Sequence, residues 1–246
     1  MSMNDKIKDS LDELKYSSIL GCITGSCLLD ADFDTWMTPP DIDVFVYSET
    51  AMVQAIMTLE GMCYTPGGKD KTNKGEELKR QWIIESGINR NASLSTIMYE
   101  RDGVYVNVTY KKGCESVLDV VGGFDMSIIM MGYDIPTGFM LDLRSMSSDD
   151  PMVARPNKCK RQLYNHPSRF TVWRALHQWA RVPKYYDRGY DTRPMAEFYL
   201  GIIDEVLEAG AIFGTDKDIA SFEEMAPEFK EIRDTIAGWL EIHKED

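Results

Sequence analysis

Apolar positions along the first 150 residues alternate between helical and strand spacing, and beyond them only the helical spacing persists. Within residues 4–16, Ile7, Leu11 and Leu14 lie three and four apart, the pattern of a helix with one buried face. Residues 18–24 read as a buried strand that stops at Gly25-Ser26, and residues 43–47 as a second strand. Ser48 can cap the helix that follows, whose core side is Met52, Val53, Ile56 and Leu59. Residues 65–75, rich in Gly, Lys, Asp and Asn, read as a loop, with a short helix over 76–84. A hairpin follows: residues 96–100, the turn Arg101-Asp102-Gly103, and residues 104–110 with Val104, Val106 and Val108 on one face. Residues 115–121 read as a helical turn, Gly122-Gly123 as a break, and residues 124–131 as another strand.

Past Asp149 the strand-like runs stop, and proline and charge rise. Three helices are predicted there. Ser168 caps the first, with Phe170, Trp173, Leu176, His177 and Ala180 at helical spacing. The second covers 194–207 and stops before Gly210. The third, over 227–243, puts Phe229, Ile232, Ile236, Trp239 and Leu240 on one face. The expected organisation is an α/β domain over 1–150 and a helical domain over 151–246.

Composition narrows the class. At 246 residues, 43% hydrophobic and 27% charged, the chain can bury a sizeable core, which excludes a wholly disordered protein. No apolar run approaches the roughly 18 residues that span a bilayer, and the N-terminal residues lack the apolar centre of a signal peptide. The expectation is a cytoplasmic protein with no membrane partner. Five cysteines without a Cys-x-x-Cys spacing, and three histidines, make no zinc-ribbon pattern. They read as idle or buried thiols in a reducing compartment.

A net charge of −13 argues against generic coating of nucleic acid. The charge is uneven, however: residues 154–193 carry ten bases against Asp187 and Asp191. Tyr164, Phe170, Trp173, Trp179, Tyr185, Tyr186 and Tyr190 are interleaved with those bases. Such a stretch is either a solvated basic face with aromatics packed behind it or a surface that holds phosphates and stacks bases.

The chemistry-bearing stretch runs from residue 23 to 46. A strand delivers Gly25-Ser26 into a turn, and Pro39-Pro40 leads into Asp41-Ile42-Asp43 at the head of the next strand. Residues i and i+2 of a strand share a face, so Asp41 and Asp43 present two carboxylates side by side. Two such carboxylates repel unless a cation sits between them, which suits Mg²⁺. Gly25 admits close approach of backbone to phosphate, and Ser26 adds a hydroxyl and an N–H. His177, among Trp173, Leu176 and Ala180, reads as a packed core histidine, and Met126, Met130 and Met131 as core filler. Ser95 and Ser127 have no neighbouring His and acid to make them nucleophiles.

Gly-Ser, a spacer and Asp-Ile-Asp-Val resemble the signature of the polymerase-beta-type nucleotidyltransferase superfamily, in the subgroup common in phages and large viruses. Phe124-Asp-Met-Ser-Ile-Ile129 is similar to a later strand of that subgroup, and Lys184-Tyr-Tyr-Asp-Arg-Gly-Tyr190 to its Lys-Tyr…Gly element. The resemblance implies an α+β fold: a nucleotidyltransferase-like mixed sheet with flanking helices, then a helical domain. It implies Asp41 and Asp43 as catalytic metal ligands, Mg²⁺ as cofactor, and Gly25, Ser26, Lys184 and Arg188 as nucleotide-binding. In the slot for a third carboxylate stands Asn107, whose amide can ligate through oxygen but cannot act as a base. Asp125 is the expected substitute and is counted with the catalytic acids; otherwise it is an acid bonded to the Gly122-Gly123 turn.

Three functions stay open. The first is transfer of a nucleoside monophosphate from an NTP to an acceptor hydroxyl, of RNA, tRNA or a protein. The second is a non-catalytic relative that binds nucleotide, RNA or a protein partner. The third is a toxin-like or counter-defence transferase, acting in the host cytoplasm if the chain is phage-encoded.

Overall fold

The computed structural model describes residues 1–67, 80–81, 94–157, 176, 178–209 and 222–244. Outside these lie most of the 65–75 loop and the 76–84 helix, and the helix begun by Ser168 with Phe170, Trp173 and His177. Cys159 and the bases Lys158, Lys160, Arg161, Arg169 and Arg174 also lie outside them. The described residues form a mixed α/β structure with a seven-stranded mixed sheet and six α-helices. None of these helices is long and apolar enough to cross a membrane. The chain divides into two compact units, Met1–Gly123 with Ile129–Leu143, and Phe124–Ile128 with Arg144–Asp246.

The first unit begins with α1 (Met3–Lys15), started by Ser2 and Asp5, each of whose side chains accepts from the other's backbone N–H. The helix buries Ile7, Leu11 and Leu14, as its spacing requires. Next come β1 (Gly21–Thr24), a 3₁₀ turn at Ser26–Leu28, and β2 (Ile42–Val46). Helix α2 (Glu49–Gly61) is capped by Ser48, whose hydroxyl accepts from the Ala51 N–H. After β3 (Thr65–Pro66), β4 (Leu94–Arg101) and β5 (Val104–Lys111) make the expected hairpin. Its turn puts both Asp102 and Gly103 at positive φ, 56° and 83°, the geometry that matches strand twist. A short α3 (Val117–Val121) precedes β6 (Met131–Asp134) and β7 (Phe139–Asp142).

The strand order is β3-β4-β5-β2-β1-β6-β7, antiparallel throughout except for the parallel pair β2–β5. Ile42, Val44, Val46, Val104, Val106 and Val108 are buried on one face, against which α1 and α2 pack. Asp43, Phe45, Tyr105 and Asn107 alternate with them on the other, half-exposed face. On that face Met98, Asn107, Asp43, Thr24 and Gly132 stand in one lateral row. Gly132 makes room for α3: a Cβ there would meet methyls of Val117 and Val121 at 2.7 and 2.8 Å.

The strand expected over 124–131 is not formed. Residues Phe124–Ile128 join the second unit, the Ser127–Ile129 segment is a 3₁₀ turn, and β6 begins only at Met131. Polar anchors explain the difference. The Ser127 N–H donates to the Arg155 carbonyl, its hydroxyl donates to Val153, and the Asn157 amide donates to the Phe124 carbonyl at 2.7 Å. Met126, Met130 and Met131 are buried, as core filler should be.

In the second unit, α4 (Arg181–Tyr186), α5 (Arg193–Ala209) and α6 (Phe222–Ile242) are present. Helix α5 extends the expected span slightly at both ends. Helix α6 starts before Pro227, which sits inside it rather than opening it. Tyr199, Ile202, Ile203 and Val206 of α5, with Phe229, Ile232 and Ile236 of α6, form the buried seam where these helices pack. Trp239 of α6 meets Trp179 and Tyr186 edge-on at 5.8 and 5.2 Å.

Candidate functional site

Strand β1 ends and the chain turns at Gly25, whose φ of 85° and ψ of −160° are open essentially only to glycine. The turn leads into the Ser26–Leu28 3₁₀ segment, with the Leu28 N–H donating to the Gly25 carbonyl at 3.2 Å. Ser26 is buried. A Cβ on Gly25 would lie 2.9 Å from Asp43 Oδ2, so the bare Cα of Gly25 is what gives that carboxylate oxygen its place.

Asp43 arrives there because β2 pairs with both β1 and β5: Thr24 is its partner on one side and Asn107 on the other. Asn107 Nδ2 donates to Asp43 Oδ1 at 3.0 Å. One carboxylate oxygen is thus fixed by a neutral amide, while the other faces Gly25. Asp41 lies just before β2, two residues from Asp43 and half-buried. The predicted residues Gly25, Asp43 and Asn107 are therefore in contact within the first unit.

Cys27, which the sequence does not single out as part of this site, belongs to the same corner. It is buried, and its thiol donates to the Thr24 carbonyl at 3.2 Å. Burial pushes its pKa well up, and the negative charges of Asp43 and Asp41 push further the same way. The thiol is therefore protonated and inert.

Asp125, expected as the third acid, belongs to the second unit. Its side chain is only 5% exposed and pairs with Arg181 through Oδ2. The same oxygen accepts from the Tyr199 hydroxyl at 2.9 Å. Burial alone would lower the Arg181 pKa, but the Asp125 charge and the tyrosines Tyr199 and Tyr185 outweigh it, so the guanidinium is held charged. Arg181 lies in the basic stretch, but nothing in the sequence marks Tyr199 as a partner of Asp125.

Lys184 and Arg188 are also carried by the second unit, Lys184 exposed and Arg188 half-buried with its guanidinium 5.3 Å above the Tyr185 ring. Two bases of the expected strip are committed elsewhere. Arg181 serves Asp125, and Arg193 grips Asp191 through Nε and Nη2 at 2.8 and 3.0 Å. That pair, with the Arg193 hydrogen bond as its main cause, holds the Asp191 pKa below the usual carboxylate value.

Among the described residues, no three His, Cys, Asp or Glu side chains converge as a metal site. The candidate metal ligands here are the carboxylates of Asp43, beside Gly25, and Asp41, two residues before it. That set fits Mg²⁺, which takes one or two carboxylates and completes its shell with water and substrate phosphates. It does not fit a cation held by protein ligands alone. The sequence matches no family model and no curated protein, so it is this geometry that must carry the functional reading.

Proposed function

We propose that the corner formed by Gly25, Ser26, Asp41 and Asp43 binds the phosphates of an NTP together with Mg²⁺. On this reading the chain transfers a nucleoside monophosphate to an acceptor hydroxyl of RNA or protein. The observation that carries the reading is the split environment of Asp43, one oxygen tied to Asn107 and the other turned to the bare Cα of Gly25. Supporting it are a strand, the Gly-Ser turn and a second strand carrying Asp43, in the order of the motif that the resemblance rests on, with α4 to α6 later in the chain. These favour a nucleotidyltransferase-like fold. The free thiols Cys22, Cys27, Cys63 and Cys114 suit a reducing compartment such as the cytoplasm.

Each residue has a defined task. Gly25 lets the triphosphate approach the backbone, and the Ser26 hydroxyl and N–H can donate to its oxygens. Asp41 and Asp43 would hold Mg²⁺, with Asn107 fixing the Asp43 rotamer through its amide hydrogen bond. When bound, Mg²⁺ screens the triphosphate charge and lowers the pKa of an acceptor hydroxyl. Lys184 and Arg188 are the proposed bases for phosphate or acceptor in the second unit.

A second reading, nucleotide binding without transfer, is favoured by the engagement of Asp125 with Arg181 and Tyr199 and by the neutral Asn107. The two are separated by incubating the chain with each NTP labelled at the α-phosphate, Mg²⁺, and RNA or protein from a cell extract. Label attached to a macromolecule, and lost with Asp43→Asn, supports transfer. NTP bound but never transferred supports the second reading, and no interaction with any NTP rejects both.

A further inference from the structure

A cavity of about 470 Å³ opens in the second unit where the start of α5 faces the end of α6. It is independent of the nucleotide reading. Pro194 and Leu200 contribute to its wall from α5, and Ala237 and Leu240 from α6, with the His243 ring beside them. On each helix these positions lie next to the buried seam rather than in it: Leu200 follows Tyr199, and Ala237 follows Ile236. The four apolar side chains are only half-buried, so a ligand seated there would remove apolar surface from water.

The charges around the cavity decide what the ligand carries. Asp191 is neutralised by Arg193, and Glu241 by Lys244 three residues on. Glu197, on the α5 side, has neither an ion pair nor a hydrogen bond among the described residues. The cavity therefore presents an apolar wall, two internally compensated ion pairs and one uncompensated carboxylate. Among the described residues that line the cavity, Arg193 and Lys244 are each paired with a carboxylate, whereas a ligand cation finds Glu197.

We propose that this cavity binds an organic cation: a single ammonium or guanidinium attached to an apolar body, the body resting on Leu200 and Leu240 and the charge on Glu197. The pairing is at an exposed rim, so the charge supplies selectivity and the apolar wall most of the affinity.

The test uses the full chain and three probes: phenethylammonium, phenylacetate as an anion of similar size, and methylammonium, which lacks the apolar body. Titration is followed by methyl resonances of Leu200, Leu240 and Ala237, which report this cavity and not the Gly25 corner. Phenethylammonium is expected to shift these resonances saturably, with the other two probes binding at least about fivefold more weakly. The variant Glu197→Gln, at an exposed helix position, should keep the fold and weaken phenethylammonium by about three- to fivefold, the size of an exposed ion pair. Equal binding of phenylacetate, an unchanged affinity in Glu197→Gln, or no saturable shift at the three residues would each overturn the proposal.

Discussion

Two aspartates of this chain, Asp43 in the first unit and Asp125 in the second, solve opposite problems. Asp43 is half-buried, and the neutral Asn107 amide donates to one of its carboxylate oxygens. Asp125 is almost fully buried and held by a guanidinium and a phenol, so its charge is already spent inside the protein. The difference lies in the partners rather than in the carboxylates. A neutral partner orients a charge without cancelling it, whereas a cationic partner converts it into a structural tie.

The largest effect that sharpens this contrast is on stability. Asp125→Ala takes the shared carboxylate from the half-buried Arg181 guanidinium and the buried Tyr199 hydroxyl, and should cost about 3 kcal/mol. Asp43→Ala removes the half-exposed carboxylate that accepts from the Asn107 amide and should cost about 1–2 kcal/mol. Chemical denaturation of both variants measures the two together, and equal costs would erase the distinction.

A middle-sized effect is expected at Gly25. Alanine there must adopt a backbone conformation that only glycine takes readily and would press on Asp43 Oδ2, costing about 1–3 kcal/mol. The same change should weaken any ligand of Asp43. A Gly25→Ala protein as stable as the parent would mean that the turn tolerates a Cβ beside Asp43.

The smallest effects concern the thiols. Cys22 is buried, and burial pushes its pKa up to about 12, with the neighbouring Asp134 and Cys114 adding to the rise. Cys27, beside Asp43, is shifted in the same direction. A pKa raised on folding adds stability that is intact below the unfolded thiol value of 9.0 and is lost as pH climbs towards 12. Alkylation read cysteine by cysteine should label the exposed Cys63 in the native protein and spare Cys22 and Cys27 until it unfolds. Because burial dominates, Asp43→Asn should leave Cys27 unlabelled. Rapid labelling of Cys27 in that variant would show that the carboxylate, not the packing, protects it.

The parts of this picture that were legible in the sequence are local. The Asp102-Gly103 turn, the Ser48 cap and the periodicity of α1 each depend on residues within a few positions of one another, and each formed as expected. The glycine turn between a strand and the strand that carries Asp43 was legible in the same way; the contact of Gly25 with Asp43 was not, since it depends on the β1–β2 pairing. The β6–β7 hairpin was not, since Phe139 and Met140 are exposed and leave no alternation to read. The run 124–131 misled because an apolar stretch anchored by Ser127 and Asn157 has the composition of a strand. Least legible was the fate of Asp125, set by Arg181 and Tyr199 more than fifty residues away in the chain.

On the proposed function, Asp43 helps to hold an NTP together with its Mg²⁺. Calorimetric titration of each NTP, with and without Mg²⁺, into the parent chain and Asp43→Asn tests it most directly. At least one NTP should bind the parent only when Mg²⁺ is present. Asp43→Asn should abolish this binding while its unfolding free energy stays within about 1 kcal/mol of the parent's. NTP binding that is indifferent to Mg²⁺ and survives Asp43→Asn, or no binding of any NTP to the parent, would contradict it.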